Sequence, residues 1–379
     1  MRRAEPANGA AAPRTIYLNG KFTAQPTSGV QRAAACWARA LDRRLADHTA
    51  DARPRWVLLC PAEATPAAMA QIEVRTLGPR GLPLHLWEQV WLPVAARDGL
   101  LLNLAGSAPL GARRMVAVIH DAAVFDHPQA YTAAFGRWYR FLFRRLARRK
   151  PCVLTVSAFS RDRLAARLRL APERLAIVPE GADHLDGVTA DPSVLDRLGL
   201  RGRPFLLAVG SDNPTKNHAR LLQAHERLGM DAPPLVIVGR RRPAVFVSGG
   251  AGPEDCERFV TLEDASDGEL KALYEAALGL VFPSLYEGYG LPPLEAMACG
   301  CPVAAARAGA LPEVLGEAAL GFDPLDVDAI AAAMLRLAGD AALRADLRER
   351  GLVQARRHRW DAGAERLLAE LAAYGAGPR

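Results

Sequence analysis

The feature that most limits what this chain can fold into is residues 279–314, GLVFPSLYEGYGLPPLEAMACGCPVAAARAGALPEV. A short apolar strand, Leu280 to Phe282, runs into Pro283 and Ser284. The next nine residues, from Glu287 to Glu295, hold two glycines and two prolines and lead into a helix. Pro292 and Pro293 suit a first helical turn, where a missing N–H costs nothing. Gly300 ends the helix before a second strand at 303–306. A strand, a glycine-rich turn and a helix N-terminus together make a place for an anion, because free N–H groups point outward there. Glu287 and Glu295 flank the turn, and a carboxylate accepts hydrogen bonds from vicinal hydroxyls. The arrangement suits a sugar or ribose carrying a phosphate; a plain βαβ turn with solvated glutamates is the alternative.

At 379 residues, half of them hydrophobic, the chain can fill two cores of ordinary domain size. Its start, MRRAEPANGAAAPR, has no apolar segment to go with the early arginines, so no secretion signal is expected. No charge-free apolar run is long enough to span a bilayer. The formal charge is +7, yet only four of the 48 basic residues are lysine (Lys21, Lys150, Lys216 and Lys271), a bias that makes the charge weak support for nucleic-acid binding. Six scattered cysteines show no zinc spacing, so reduced thiols and a cytoplasmic setting are expected.

Along the chain, strand-like runs at 15–19, 56–60, 71–77, 115–119, 152–156 and 175–178 alternate with helical stretches at 84–97, 134–150 and 161–168, as in a doubly wound parallel sheet. Gly29, before a long helix, would let backbone approach a phosphate or simply make a turn. His120-Asp121 follow strand 115–119 at the end where open α/β sheets bind ligands; the alternative is a histidine partnered by Asp121. Helix 134–150 carries Arg137, Arg140, Arg144 and Arg148 on one face, a stripe that fits either anionic lipid or plain solvent. Ser160 is placed to cap the helix after it. Residues 184–204 read as a linker, and strands at 205–210, 235–239 and 258–262 start a second domain. Asp326-Val327-Asp328 precedes a helix, where capping explains it better than a metal.

These residues together resemble the retaining GT-B glycosyltransferases of family 4, from residue 15 to 374. Their signature has two glutamates separated by seven residues around a G-x-G-L-P core, as Glu287 and Glu295 are here. The resemblance implies two Rossmann-like α/β domains, 1–190 and 203–358, facing a cleft, with a terminal helix 360–374 crossing back to the first. It places Glu287 against the donor sugar, Glu295 on the ribose, the Tyr289-Gly290-Leu291 amides near the diphosphate and His120 near the sugar and acceptor. Gly29, Asp121, Ser211 and Asn217 join the donor site, and Lys216 neutralises the diphosphate. Two departures stand out: the family's arginine near Lys216 is missing, Ser211 and Thr215 standing there with Arg240 as a conjectured substitute, and Glu180 replaces a usual asparagine.

The implied reaction moves a hexose from a nucleotide diphosphate sugar to an acceptor hydroxyl with retention, without metal or cofactor. GDP-mannose is favoured, with dTDP-rhamnose or a UDP-sugar next, and the acceptor is a saccharide or lipid-linked oligosaccharide of a bacterial surface polysaccharide. A peripheral membrane contact through 134–150 and a plain solvated face stay open together, and nucleic acid is not expected. The rivals are an epimerase or hydrolase of nucleotide-sugars with the same fold, and a basic binding protein for membranes or nucleic acid.

Overall fold

A computed structural model of the chain describes residues 15–47, 54–148, 152–240, 245 and 258–376. The polar start 1–14, Arg149 and Lys150 of the basic helix, Cys256 and the glycine-rich loop 249–252 lie outside the described residues. The first sheet holds β1 (Thr15–Asn19), β2 (Arg55–Pro61), β3 (Glu73–Leu77), β4 (Leu100–Asn103), β5 (Met115–Val118), β6 (Cys152–Thr155) and β7 (Leu175–Ile177), in the order β3-β2-β1-β4-β5-β6-β7. The second holds β8 (Leu206–Val209), β9 (Leu235–Val238), β10 (Phe259–Leu262), β11 (Gly279–Phe282), β12 (Val303–Ala306) and β13 (Leu320–Phe322), in the order β10-β9-β8-β11-β12-β13. All pairings are parallel.

Parallel strands need crossovers, and the helices that make them cover both sheet faces. In the first unit these are α1 (Gly29–Leu45), α2 (Leu84–Ala95), α3 (Ala123–Asp126), α4 (Ala133–Arg148) and α5 (Ala158–Leu168). The connection and second unit add α6 (Ser193–Arg197), α7 (His218–Arg227), α8 (Asp267–Ala276), α9 (Leu291–Ala298), α10 (Leu311–Leu315), α11 (Val327–Gly339), α12 (Ala341–Ala355) and α13 (Trp360–Ala376). Double coverage also explains a strand the sequence reading passed over. β4 sits centrally between β1 and β5 with all four residues buried, so LLLN shows no alternation. The three-residue β13 was passed over too.

One further expectation changes. Ser157, not Ser160, caps α5: its hydroxyl accepts from the Ser160 N–H at 3.0 Å. The stretch 184–204 lies between the two sheets and is ordered. It contains α6 and is strapped to α8, with Lys271 Nζ donating to the carbonyls of Leu185 (3.0 Å) and Val188 (2.9 Å). Asp326 does cap α11, accepting from the N–H groups of Asp328 and Ala329.

The strand order reverses between β1 and β4 and between β8 and β11. Crevices at such switch points open outside the carboxyl ends of the strands. The chain then returns: α13 lies along α1, where Arg43 pairs with Asp361 at 2.7 Å and Trp37 meets Trp360 edge-on at 5.8 Å.

Candidate active site

Lys216 leaves the second switch point on a tight turn. Asn213 starts it, its side-chain oxygen accepting from the Thr215 N–H at 2.9 Å, and Asn217 ends it in the left-handed region at φ 62°. The Asn217 amide donates to the carbonyls of Pro283 (3.2 Å) and Pro324 (2.8 Å), so this side chain holds the turn and is not offered to a donor. Leu285 N–H donates to the Thr215 carbonyl at 2.7 Å, joining the turn to the loop after β11. That loop brings Glu287 Oε1 to 2.5 Å from Lys216 Nζ, with the two side chains 12% and 20% exposed. The ammonium also lies 5.6 Å from the centre of the Phe282 ring.

The strand ends beneath are tight. A Cβ on Gly239 would fall 1.8 Å from the Gly210 carbonyl oxygen, and one on Gly210 would press on Lys216 at 3.3 Å. His218 lies beside them, and burial and the Lys216 charge push its pKa down to about 4, so it faces Lys216 as a neutral ring. Ser211 is half-buried in the same turn, where its carbonyl accepts from the Asn213 N–H at 2.7 Å. Arg240 does not fill the missing arginine position: its guanidinium is on Asp264, Nε at 2.8 Å. Thr215 is buried.

The glycine turn follows. Gly290 begins α9 at φ 103°, and a Cβ there would lie 2.6 Å from Leu311, so both conformation and space demand glycine. Because Pro292 and Pro293 have no N–H and the Leu294 N–H closes the first helical turn, the donors at this end come from Tyr289, Gly290 and Leu291. Gly288 presses against the first sheet's unit: its carbonyl accepts from the hydroxyls of Ser157 (2.7 Å) and Ser160 (3.1 Å). Glu313 adds a second crossing, accepting from the N–H groups of Ala158 (2.8 Å) and Phe159 (3.0 Å) at the start of α5, where a helix favours negative charge.

Glu295 is more enclosed than a ribose ligand needs to be. It is 3% exposed. Oε1 accepts from His184 Nε2 at 3.0 Å and faces Arg32 Nε at 3.6 Å, while Oε2 accepts from the Tyr274 hydroxyl at 3.1 Å. His184 Nδ1 accepts from Trp360 Nε1 at 3.2 Å, so its proton sits on the nitrogen facing Glu295. Burial opposes the charge on Glu295, but His184 and Arg32 outweigh it and hold the pKa down to about 2. Arg32 comes from α1, three residues after Gly29; the space beside Gly29 is open, with nothing within 4 Å of an added Cβ.

His120 faces inward at the end of β5. Its partner is Glu180, not Asp121: Nδ1 lies 3.0 Å from Glu180 Oε1, and Nε2 lies 2.9 Å from the Leu104 carbonyl. Asp121 instead accepts from the Ala123 N–H at 2.7 Å, and burial pushes its pKa up. For His120, burial favours the neutral ring, but the bridge to Glu180 prevails and the pKa ends above the usual imidazole range. Burial raises Glu180 as well, so the pair keeps its shared proton to higher pH than a free imidazole would.

The geometry thus brings Lys216, Glu287 and the 288–291 turn together. It leaves the side chains of Asn217 and Glu295 engaged within the protein. Sequence reasoning missed Ser157, Glu313, Arg32 and His218; only the V-S-x-x-S pattern at 156–160 carried a signal for any of them.

Comparison with known proteins agrees with this architecture. The glycosyltransferase family 4 model matches residues 27–184 and the glycosyl transferases group 1 model matches 196–353. The O-antigen chain mannosyltransferase B of Escherichia coli is 32% identical over 294 residues, 73% of this chain and 75% of that protein. A GDP-mannose-dependent alpha-(1-6)-phosphatidylinositol monomannoside mannosyltransferase of Mycolicibacterium smegmatis is 30% identical over 281 residues, 68% of each. The structure of a sucrose-phosphate synthase from Thermosynechococcus elongatus superposes with a TM-score of 0.69 at 20% identity, covering 95% of this chain and 99% of that one. Two parallel sheets with these neighbours define the GT-B architecture. The chain belongs to the group 1, family 4 glycosyltransferases, and it is a glycosyltransferase.

Proposed function

We propose that the protein transfers a hexose, mannose in preference to rhamnose, from a nucleotide diphosphate sugar to an acceptor hydroxyl with retention of configuration. The observation that carries this is the Lys216–Glu287 pair, held at a switch point beside the amides of 289–291. A departing diphosphate needs preorganised positive charge and N–H groups, which Lys216 and these amides supply. Glu287 orients the sugar. The acceptor oxygen bonds to the anomeric carbon as the bond to phosphate breaks, and the acceptor proton passes to the leaving phosphate oxygen. No protein nucleophile, metal ion or cofactor is invoked. The mannosyltransferase relatives support GDP-mannose as donor and a polysaccharide or lipid-linked oligosaccharide as acceptor.

The test is a thermal-shift screen with GDP-, UDP-, dTDP- and ADP-sugars on wild type and Lys216→Ala. A ligand of the folded state raises apparent stability with the logarithm of its concentration over affinity. Stabilisation by GDP-mannose that falls in the variant supports the reading; stabilisation by another nucleotide reassigns the donor. No shift at millimolar concentration removes the donor site, and free mannose released at turnover rates without acceptor favours a hydrolase.

A second reading, contact with an anionic membrane, rests on α4 and α2. Arg137, Arg144, Arg145 and Arg148 are exposed with Phe141, and α2 exposes Leu86, Val90 and Val94 at helical spacing. Arg140 leaves the expected stripe, because it donates inward to the Val124 carbonyl at 3.0 Å. No described helix is long and apolar enough to cross a membrane. Co-sedimentation with phosphatidylglycerol vesicles, lost in Arg144→Glu/Arg148→Glu, would support this contact; equal binding by that variant would remove it.

A further inference from the structure

The mechanism above leaves one buried titratable pair unused, His120 and Glu180. Glu180 is 3% exposed, and an unpaired carboxylate there would be costly. Its side chain meets His120 Nδ1 at 3.0 Å, and its own carbonyl accepts from the Tyr289 hydroxyl at 2.9 Å. A single residue therefore touches both the histidine at the end of β5 and the first residue of the Tyr289-Gly290-Leu291 turn. The position is fixed from behind. A Cβ on Gly181 would sit 2.3 Å from the Trp360 backbone nitrogen, and the Ala182 N–H donates to the His358 carbonyl at 2.9 Å.

The hydrogen bonds determine the proton count. A carbonyl only accepts, so His120 Nε2, facing Leu104, carries a hydrogen. Nδ1 and Glu180 Oε1 must then share one more proton, either as imidazolium with carboxylate or as imidazole with carboxylic acid. With both ring nitrogens bonded and Trp37 at 5.6 Å from the ring, His120 has no free lone pair to act as a base. The other charged groups acting on the pair are Asp121 beside the ring and Glu287 across the cleft. Both are acidic and favour retention of the shared proton; Tyr289 meets Glu180 only at its backbone carbonyl, and His358 meets the Tyr289 hydroxyl.

We propose that Glu180 is a positioning residue that holds His120 doubly hydrogen-bonded and locked in place, and ties it to the donor-side turn through Tyr289. The proposal rests on the glycosyltransferase reading only for what the locked histidine does in catalysis. The lock itself is testable without turnover.

The experiment is a pH titration of the full chain with 15N-labelled histidine, followed through the ring nitrogens, with His120→Gln used to assign His120. In wild type both ring nitrogens remain protonated or hydrogen-bonded through neutral pH. In Glu180→Gln the ring should titrate at least about one pH unit lower, because the anionic partner is gone while the shape is kept. Once a donor is known, Glu180→Gln should lower kcat about tenfold or more with KM within about twofold, and move the pH profile in the same direction. Glu180→Asn, the residue usual in the family, serves if the glutamine variant does not fold. An unchanged His120 titration in a folded variant overturns the proposal. A shifted titration with no transferase activity in wild type sinks the functional reading and leaves the lock standing.

Discussion

Two lysine–glutamate pairs stand just past the first strand of each sheet, and they have opposite characters. Lys21, two residues beyond β1, meets Glu88 of α2 at 2.8 Å with the side chains 2% and 0% exposed. Its ammonium also donates to Ser107 Oγ at 2.7 Å, while Glu88 Oε1 accepts from Asn19 (2.8 Å) and Ser107 (2.7 Å). Lys216, beyond β8, meets Glu287 at 2.5 Å but keeps a fifth of its side-chain surface open. The sealed pair spends its hydrogen-bonding capacity inside the protein and holds β1, α2 and the 103–107 loop together. The open pair sits where a ligand can replace one partner of the other. In a chain that uses arginine almost everywhere, two of its four lysines mark these equivalent places. A compact ammonium fits a tight, tetrahedral set of acceptors better than a planar guanidinium does.

If the sealed pair is structural, Glu88→Ala should cost about 3–5 kcal/mol of stability, because it strands a buried charge. Chemical denaturation measures this, and a loss under about 1 kcal/mol would erase the contrast. Lys216→Ala should leave the unfolding midpoint nearly unchanged but cost roughly 3–4 kcal/mol of transition-state stabilisation, about 100- to 1,000-fold in kcat. A large fall in stability in that variant would make the two pairs alike.

Acid sharpens the comparison. Burial opposes the charge of Glu88, but Lys21 and its other partners hold its pKa down to about 2, against an ordinary 4.5. Glu295 is likewise held to about 2. A depressed folded pKa contributes stability that is complete above about 4.5 and is lost as pH falls toward 2. Denaturation at pH 3 against pH 6 should show a loss on the order of 2 kcal/mol per carboxylate, and Glu88→Gln should flatten the dependence.

Replacing the sealed pair with apolar residues, Lys21→Met/Glu88→Leu, should recover most of the loss and end within about 1–2 kcal/mol of wild type. Smallest of all, Glu313→Ala removes a cap contributed across the cleft and should cost about 1 kcal/mol, less in high salt. A calorimetric scan at two salt concentrations checks it.

Much of the site was legible because its parts are contiguous. Strand β11, the Gly290 turn and the prolines of α9 lie within one short stretch, and each residue type has a local reason to be there. Lys216 was legible by resemblance. What escaped was pairing at a distance. Asp121, its neighbour, is the partner that sequence offers His120 as the alternative to a ligand, yet the actual partner, Glu180, is 60 residues on. Glu313 caps a helix 155 residues earlier, and nothing in its own surroundings announces that. Asn217 looked like a ligand because the motif places it beside Lys216, but two backbone carbonyls claim its amide.

The sequence by itself determined the α/β class, most of the parallel strands and the anion-suited turn, because these follow from local periodicity, glycine and proline chemistry. Tertiary structure alone decided which carboxylates are charged, buried or shared. Glu88, Glu180, Glu287 and Glu295 are the same side chain in four settings, and the difference lies in desolvation and in partners that folding brings from remote parts of the chain.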